Sequence, residues 1–167
     1  MKPTLLSPCD ISHYLKDGLW TNETQAGNCK IYARAFPNSL ACIDHLETYT
    51  WAELNLASDK VAANLIAMGI SRDSRAIVRM PSNCREIVLR LAFKKAGLIG
   101  TFVPMQWRRR ELAHVFKQIS PSLAVISPQG LDKKDQIPFE SAVNLKRIDL
   151  GPMPRRGWFS WEDLIGP

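Results

Sequence analysis

The sequence is short of the groups that most often carry catalysis. It has three histidines, and His13, His45 and His114 stand far apart along the chain. No glycine-rich loop ending in lysine is present, so no phosphate-cradling turn is written in the sequence, and a Gly-x-Ser-x-Gly elbow is missing as well. His, Asp and Glu never gather at metal-ligand spacing. The four cysteines (Cys9, Cys29, Cys42 and Cys84) are scattered, a pattern that speaks against both a zinc motif and a disulfide scaffold; reduced thiols are expected. No apolar run reaches the ~20 residues of a membrane-crossing helix. Asp10, His13 and Lys16 interrupt the start, where a signal peptide needs an unbroken apolar stretch. A cytoplasmic protein without membrane contact is expected. Repeats and low-complexity tracts are absent too.

What remains suits one domain with a real core: 167 residues, 46% of them hydrophobic. The net charge of +6 favours acidic partners only weakly. Arg and Lys are spread along the chain, and aromatic residues do not interleave with them as a nucleic-acid platform requires. Nucleic-acid binding is therefore an alternative supported by charge alone.

The most legible stretch runs from Tyr49 to Ser127. Thr50 with Glu53 three residues on forms a capping box for a helix that closes at Gly69. Leu54, Ala57, Val61, Leu65 and Met68 recur at steps of three and four, which places one apolar stripe on one face. Arg75 to Met80 reads as a buried strand ended by Pro81. Asn83 caps a second helix, with Glu86 in the box position and Ile87, Val88, Leu91 and Ala92 as its stripe before Gly97. Leu98 to Val103 is the next strand. Leu112, Val115, Phe116 and Ile119 mark a third helix, and Leu123 to Ile126 a third strand. This alternation predicts an α/β fold, a mainly parallel sheet flanked by helices on both faces.

On either side the pattern is weaker. Residues 1–19 read as an N-terminal extension with a short helix over Asp10 to Lys16, and residues 20–167 as one α/β subdomain. Trp20 to Phe36 is a helix candidate with Ile31, Tyr32 and Ala35 facing inward and Pro37 stopping it. Leu40 to Asp44 reads as a strand, and His45 to Thr48 as a turn. Gly130 to Pro138 is polar and loop-like. Leu145 to Leu150 is one more strand, Gly151 to Gly157 a turn cluster, and Trp158 to Ile165 the start of a further element.

The candidate chemistry is sparse. His45 reads as a surface turn residue and His114 as a structural or surface histidine beside Val115. Asp44 and Glu47 flank a turn and read as solvated. Arg108, Arg109 and Arg110 resist so plain a reading. They occupy the first turn of the third helix, where cations oppose the helix dipole and no Ser, Thr, Asp or Asn supplies a cap. Such a run makes sense if an anion binds there, because helix amides and guanidinium groups then converge on it. The plainer alternative is that Glu111 and solvent screen the three charges.

Four segments together resemble the N-terminal part of the adenylate-forming superfamily, which includes acyl- and aryl-CoA synthetases and aryl-acid AMP ligases. Leu40-Ala41-Cys42-Ile43-Asp44 is similar to the family's Ala-x-Ile-Asp strand. Tyr49-Thr50-Trp51-Ala52-Glu53-Leu54 is similar to its Tyr-Thr-Tyr-Ala-Glu-Leu helix start. Met68-Gly69-Ile70 resembles its Leu-Gly-Ile/Val turn, and Lys95-Ala96-Gly97 its Lys-Ala-Gly before a buried strand. Where many members have Val-Pro-Val-Pro-Leu-Asn-Pro-Arg, this chain ends the run at Gln106, which lacks the charge with which that Arg helps hold a CoA phosphate. Arg108 to Arg110 are placed to compensate.

The resemblance implies a parent enzyme using ATP, CoA and magnesium to join a carboxylic acid to a thiol. It also implies that the family's phosphate loop and catalytic residues follow the segment equivalent to Trp158 to Ile165. The expectation for this chain is an inactive N-terminal fragment with no bound cofactor, paired with the rest of the ligase or with itself through exposed apolar surface. A binding or regulatory module for CoA or another phosphorylated ligand is the alternative.

Overall fold

A computed structural model describes residues 6–21, 23–140 and 142–166. The first five residues of the expected extension, and Pro167, lie outside the described residues. Helix α1 (Pro8–Lys16) is capped by Ser7 and Asp10 in a reciprocal box and buries none of its residues. Helix α2 (Gln25–Ala35) begins later than Trp20 because the Thr24 hydroxyl accepts the Gly27 amide at 3.0 Å. Its inward side is also not the expected one. Ile31, Tyr32 and Ala35 are exposed, and Cys29 is the residue it buries. The helix meets α3 (Trp51–Ala67) and α4 (Cys84–Ala96) along the Cys29 side. Tertiary contact, not a strong stripe of its own, orients it.

Strands β1 (Leu40–Ile43) and β2 (Thr48–Thr50) pair antiparallel as a hairpin separate from the main sheet. The hairpin leads straight into α3. Thr50 and Glu53 form the expected box, with the Thr50 amide on the Glu53 carboxylate at 2.8 Å and the Glu53 amide on the Thr50 hydroxyl at 3.3 Å. Leu54, Ala57, Val61 and Leu65 are buried, and Gly69 takes the left-handed φ of +78° that ends the helix. The stripe of α4 holds at three of its four expected positions and gains Leu89 and Phe93. Ile87 is exposed, while Val88, Leu89, Leu91, Ala92 and Phe93 are buried. Lys95 joins the two helices: its ammonium donates to the Asn55 carbonyl at 3.0 Å and the Ser58 hydroxyl at 2.8 Å, and lies 2.8 Å from the Asp59 carboxylate.

Strands β3 (Arg75–Arg79), β4 (Ile99–Phe102), β5 (Leu123–Ile126) and β6 (Lys146–Asp149) form one parallel sheet in the order β4-β3-β5-β6. Side chains alternate across it. Ala76, Val78, Leu123, Val125 and Ile148 join the core shared with α3, α4 and the short α7 (Trp161–Ile165). Ile77, Ala124 and Ile126 join the core under α5 (Arg109–Ile119) and α6 (Lys133–Glu140), with Leu112 and Phe139. Helices therefore cover both faces, as expected. Gly100 in β4 is required by packing, because a Cβ there would lie 2.7 Å from the Phe93 ring.

Helix α6 corrects the expected loop over Gly130 to Pro138. Asp132 and Asp135 cap its start reciprocally, the Asp135 amide on Asp132 at 2.9 Å and the Asp132 amide on Asp135 at 3.3 Å. Phe139 anchors its end in the core with no exposed surface. A polar stretch with one deeply buried aromatic is helical because tertiary packing rewards it, which periodicity alone does not register.

Candidate functional site

In open parallel sheets, ligands sit beyond the carboxyl ends of the strands, where the connections part to either side. Here the chain goes from β3 to β4 on one side, then crosses to β5 on the other. The crevice at that point is filled from within. Arg79, the last residue of β3, is fully buried. Its guanidinium donates to the Ser127 carbonyl at 2.9 Å, the Gln129 carbonyl at 3.0 Å and the Met105 carbonyl. Its Nε has no partner among the described residues. Burial first, and then the charge of Arg108, lower its pKa, while Asp135 opposes them. One cation thus ties the loops that follow β4 and β5.

Beside it lies the amide end of α5. Arg108, Arg109 and Arg110 are exposed there. The missing cap comes from elsewhere in the chain: buried Asp135 accepts the Arg109 amide at 2.8 Å, and its other oxygen lies 3.8 Å from Arg108 Nε. Glu111 accepts the Arg108 amide at 3.1 Å. Backbone amides, its own and then that of Arg108, hold the Glu111 carboxyl below its ordinary pKa. The Arg108 guanidinium also donates to the Met105 carbonyl at 3.1 Å. Arg109 and Arg110 form no ion pair among the described residues. Arg110 lines a cleft of about 380 Å³ with Trp107, Glu111, His114 and Val115. Gln106 lines a separate cleft of about 320 Å³ with Ser82, Glu86, Arg90 and Phe102.

The other candidates are placed differently. Asp44 is not a solvated turn residue. Its carboxylate accepts the amides of Cys84 at 2.7 Å, Leu46 at 2.6 Å and Glu47 at 2.8 Å. Those three amides, Cys84 first, hold its pKa far below the usual carboxylate range. Glu47 pairs with Arg85 at 2.7 Å. Both acids fasten the hairpin to the start of α4. His45 and His114 are exposed, and His13 lies 3.3 Å from Asp17 on the surface of α1. Among the described residues no three His, Cys, Asp or Glu side chains converge to hold a metal.

Sequence reasoning passed over Arg79, Asp135 and Asp149. Asp149, buried at the end of β6, accepts the Gly151 amide at 2.9 Å and pairs with Arg155 at 3.1 Å, which in turn stacks on Trp158 at 4.2 Å. No local pattern marks Arg79, Asp135 or Asp149, since their partners lie elsewhere in the chain. The site offers positioned cations and braced loops.

A profile of the family described as "AMP-binding enzyme" matches residues 29–161. The medium-chain fatty-acid–CoA ligase of Escherichia coli (strain K12) is 31% identical over 106 residues, 63% of this chain and 19% of that protein. The salicyl-AMP ligase/salicyl-S-ArCP synthetase of Mycobacterium tuberculosis is 28% identical over 118 residues, 68% of this chain and 21% of that protein. The chain thus spans about a fifth of the length of these relatives. The apo structure of Mycobacterium smegmatis MbtA shares the fold, with a TM-score of 0.85 at 21% identity over 96% of this chain and 30% of that one. Taken with the parallel sheet covered on both faces, the match over residues 29–161 shows that the chain belongs to the AMP-binding enzyme family and carries the N-terminal part of the adenylate-forming fold.

Proposed function

We propose that this chain is the N-terminal scaffold of an ATP-dependent acyl- or aryl-acid:CoA ligase of the cytoplasm, inactive by itself. The observation that carries the reading is the family match over residues 29–161, with relatives named as acid ligases. In the whole ligase a carboxylate would displace pyrophosphate from ATP to give an acyl-adenylate, and the CoA thiol would then take the acyl group as a thioester and release AMP; magnesium, held by the remainder of the ligase, would supply charge screening for the phosphates. The described residues do not fit ATP or magnesium. Arg79 fills the crevice, Asp135 fills the amide end of α5, and no acidic cluster converges. Both belong with the remainder of the ligase.

This chain contributes braced loops and the exposed charge of Arg108, Arg109 and Arg110. Because Asp135 already takes the Arg109 amide, an anion such as a CoA phosphate meets guanidinium groups and not the helix end. The apolar side chains exposed on α2 and the hairpin (Ile31, Phe36, Leu40, Ile43 and Leu46) support a face covered by the remainder of the ligase, or by a second copy when the chain is alone.

The test is pyrophosphate exchange with ATP, magnesium and a panel of alkyl and aryl acids. The chain alone gives none. The E. coli medium-chain ligase, with its matching segment replaced by this chain, exchanges above the level of the enzyme lacking that segment. Clear exchange by the 167-residue chain, or an inert but folded chimera, overturns the reading. A scaffold that kept only CoA binding is distinguished by calorimetry: it binds CoA alone, and Arg108→Ala with Arg110→Ala abolishes that heat.

A further inference from the structure

A cleft of about 280 Å³ lies under α2, walled by four elements of this chain. Gln25, Asn28, Cys29 and Tyr32 line it and follow one another at steps of three and four, so one face of α2 forms its roof. Trp51 and Leu54 of α3, Leu91 of α4 and Ala41 of β1 close the other sides. Cys29, Leu54 and Leu91 are buried, which makes the deep part apolar. Tyr32 is exposed and Trp51 half-buried, and their rings stand 4.9 Å apart at a tilt of 35°, so this pair marks the mouth. Half-buried Asn28 brings a carboxamide between the two zones. Among the described residues that line the cleft, Arg90 alone is charged. Its guanidinium lies 2.6 Å from the Glu86 carboxylate and 3.7 Å from the centre of the Phe102 ring. Both of those residues line the neighbouring cleft with Gln106, so the charged head belongs there. The Cys29 thiol is a neutral wall, because burial raises its pKa more than the charge of Lys95 lowers it.

We propose that the cleft under α2 binds an uncharged bicyclic aromatic molecule that carries one hydrogen-bonding ring group, as indole does. Size sets the first limit: an apolar cavity of about 150 Å³ takes up benzene, so this one has room for two fused rings. Leu54 and Leu91 supply the dry walls, and the Tyr32 and Trp51 rings offer faces and edges for offset or edge-on stacking. The Asn28 carboxamide meets the one polar group, which would otherwise be buried without a partner. Charge sets the second limit. A carboxylate finds no cation to pair with, because Arg90 is held by Glu86, and taking it out of water costs more than stacking returns. The cleft is therefore no site for the acids of a ligase reaction, and its occupation needs neither ATP nor the remainder of the ligase.

The experiment is calorimetric titration of the native full chain with indole and, separately, with indole-3-carboxylate. Indole is expected to give saturable heat at one site, and the carboxylate none. Asn28→Ala should weaken indole about fivefold through the lost hydrogen bond. Ala41→Leu, which pushes a larger side chain into the cleft from β1, should abolish binding. If that variant does not fold, nuclear Overhauser contacts between indole protons and the Leu54 and Leu91 methyl groups of the wild type decide. The proposal is overturned if the wild type gives no saturable heat with indole, or if those contacts fall only on residues outside the cleft. Carboxylate binding as tight as that of indole, or unchanged indole binding by a folded Ala41→Leu chain, overturns it equally.

Discussion

Asp135 accepts the backbone amide of Arg109 at 2.8 Å from 26 residues further along the chain. It therefore supplies α5 with the cap that the helix lacks in its own sequence, and it offsets three arginines placed against the helix dipole. The same carboxylate caps the start of α6 and lies near Arg108. One buried acid thus braces two helices beside the loop held by Arg79.

Removing that acid uncaps two helix ends at once. Asp135→Ala is expected to lower stability by about 1–2 kcal/mol. Urea unfolding followed by circular dichroism reads the change, and an unchanged midpoint counts against the brace.

Arg79 is the buried cation with the most to lose. Arg79→Met fills similar space but leaves the carbonyls of Met105, Ser127 and Gln129 short of a donor. The expected loss is about 2–3 kcal/mol. Arg79→Lys should recover part of it, since an ammonium keeps the charge but cannot fork to all three carbonyls. The ordering Met below Lys below wild type in denaturant midpoint is the check.

Thr50→Ala removes the hydroxyl that accepts the Glu53 amide. A loss of about 1 kcal/mol is expected, concentrated in the first turn of α3. Hydrogen exchange there should quicken before any global effect is seen.

Asp44 makes stability depend on acid pH. Its folded pKa lies below the unfolded value of about 3.9, because three amides bind the ionised form. The stabilisation is therefore fully present above that unfolded value and is lost as pH falls through the folded pKa. Asp44→Asn should flatten this part of the acid limb in a series of thermal melts between neutral and strongly acid pH. A limb of identical slope in the variant contradicts the assignment.

Arg109 and Arg110 are expected to trade stability for binding. Replacing both by Ala relieves charge set against the dipole and should stabilise α5 by about 0.3–1 kcal/mol per residue. If the pair serves a phosphate, the same variant loses that ligand in calorimetry. Loss of stability without any effect on anion binding would falsify both roles.

Much of the architecture was legible from local chemistry. The capping box at Thr50, the cap at Asn83, the left-handed glycines at positions 69 and 97, and the short apolar strands each reflect interactions within a few residues. Hence the helices of the central stretch and the parallel strands could be read directly, and so could the family likeness those segments carry. The outer parts were not legible in the same way. α6 looked like a loop because its stability comes from Phe139 in the core and from Asp135, which also serves α5. α2 turned Cys29 inward instead of Ile31 because its neighbours, not its own periodicity, choose the buried side.

The site divided along the same line. Composition and spacing determined that three arginines open α5 and that the central stretch alternates strand and helix. Only the tertiary structure decided that Asp135 occupies the end of that helix, that Arg79 fills the crevice at the sheet, and that Asp44 binds the first turn of α4. These pairings join residues far apart in the chain. Their partners become neighbours only once the sheet and its two helical layers have assembled, so nothing in a local window announces them.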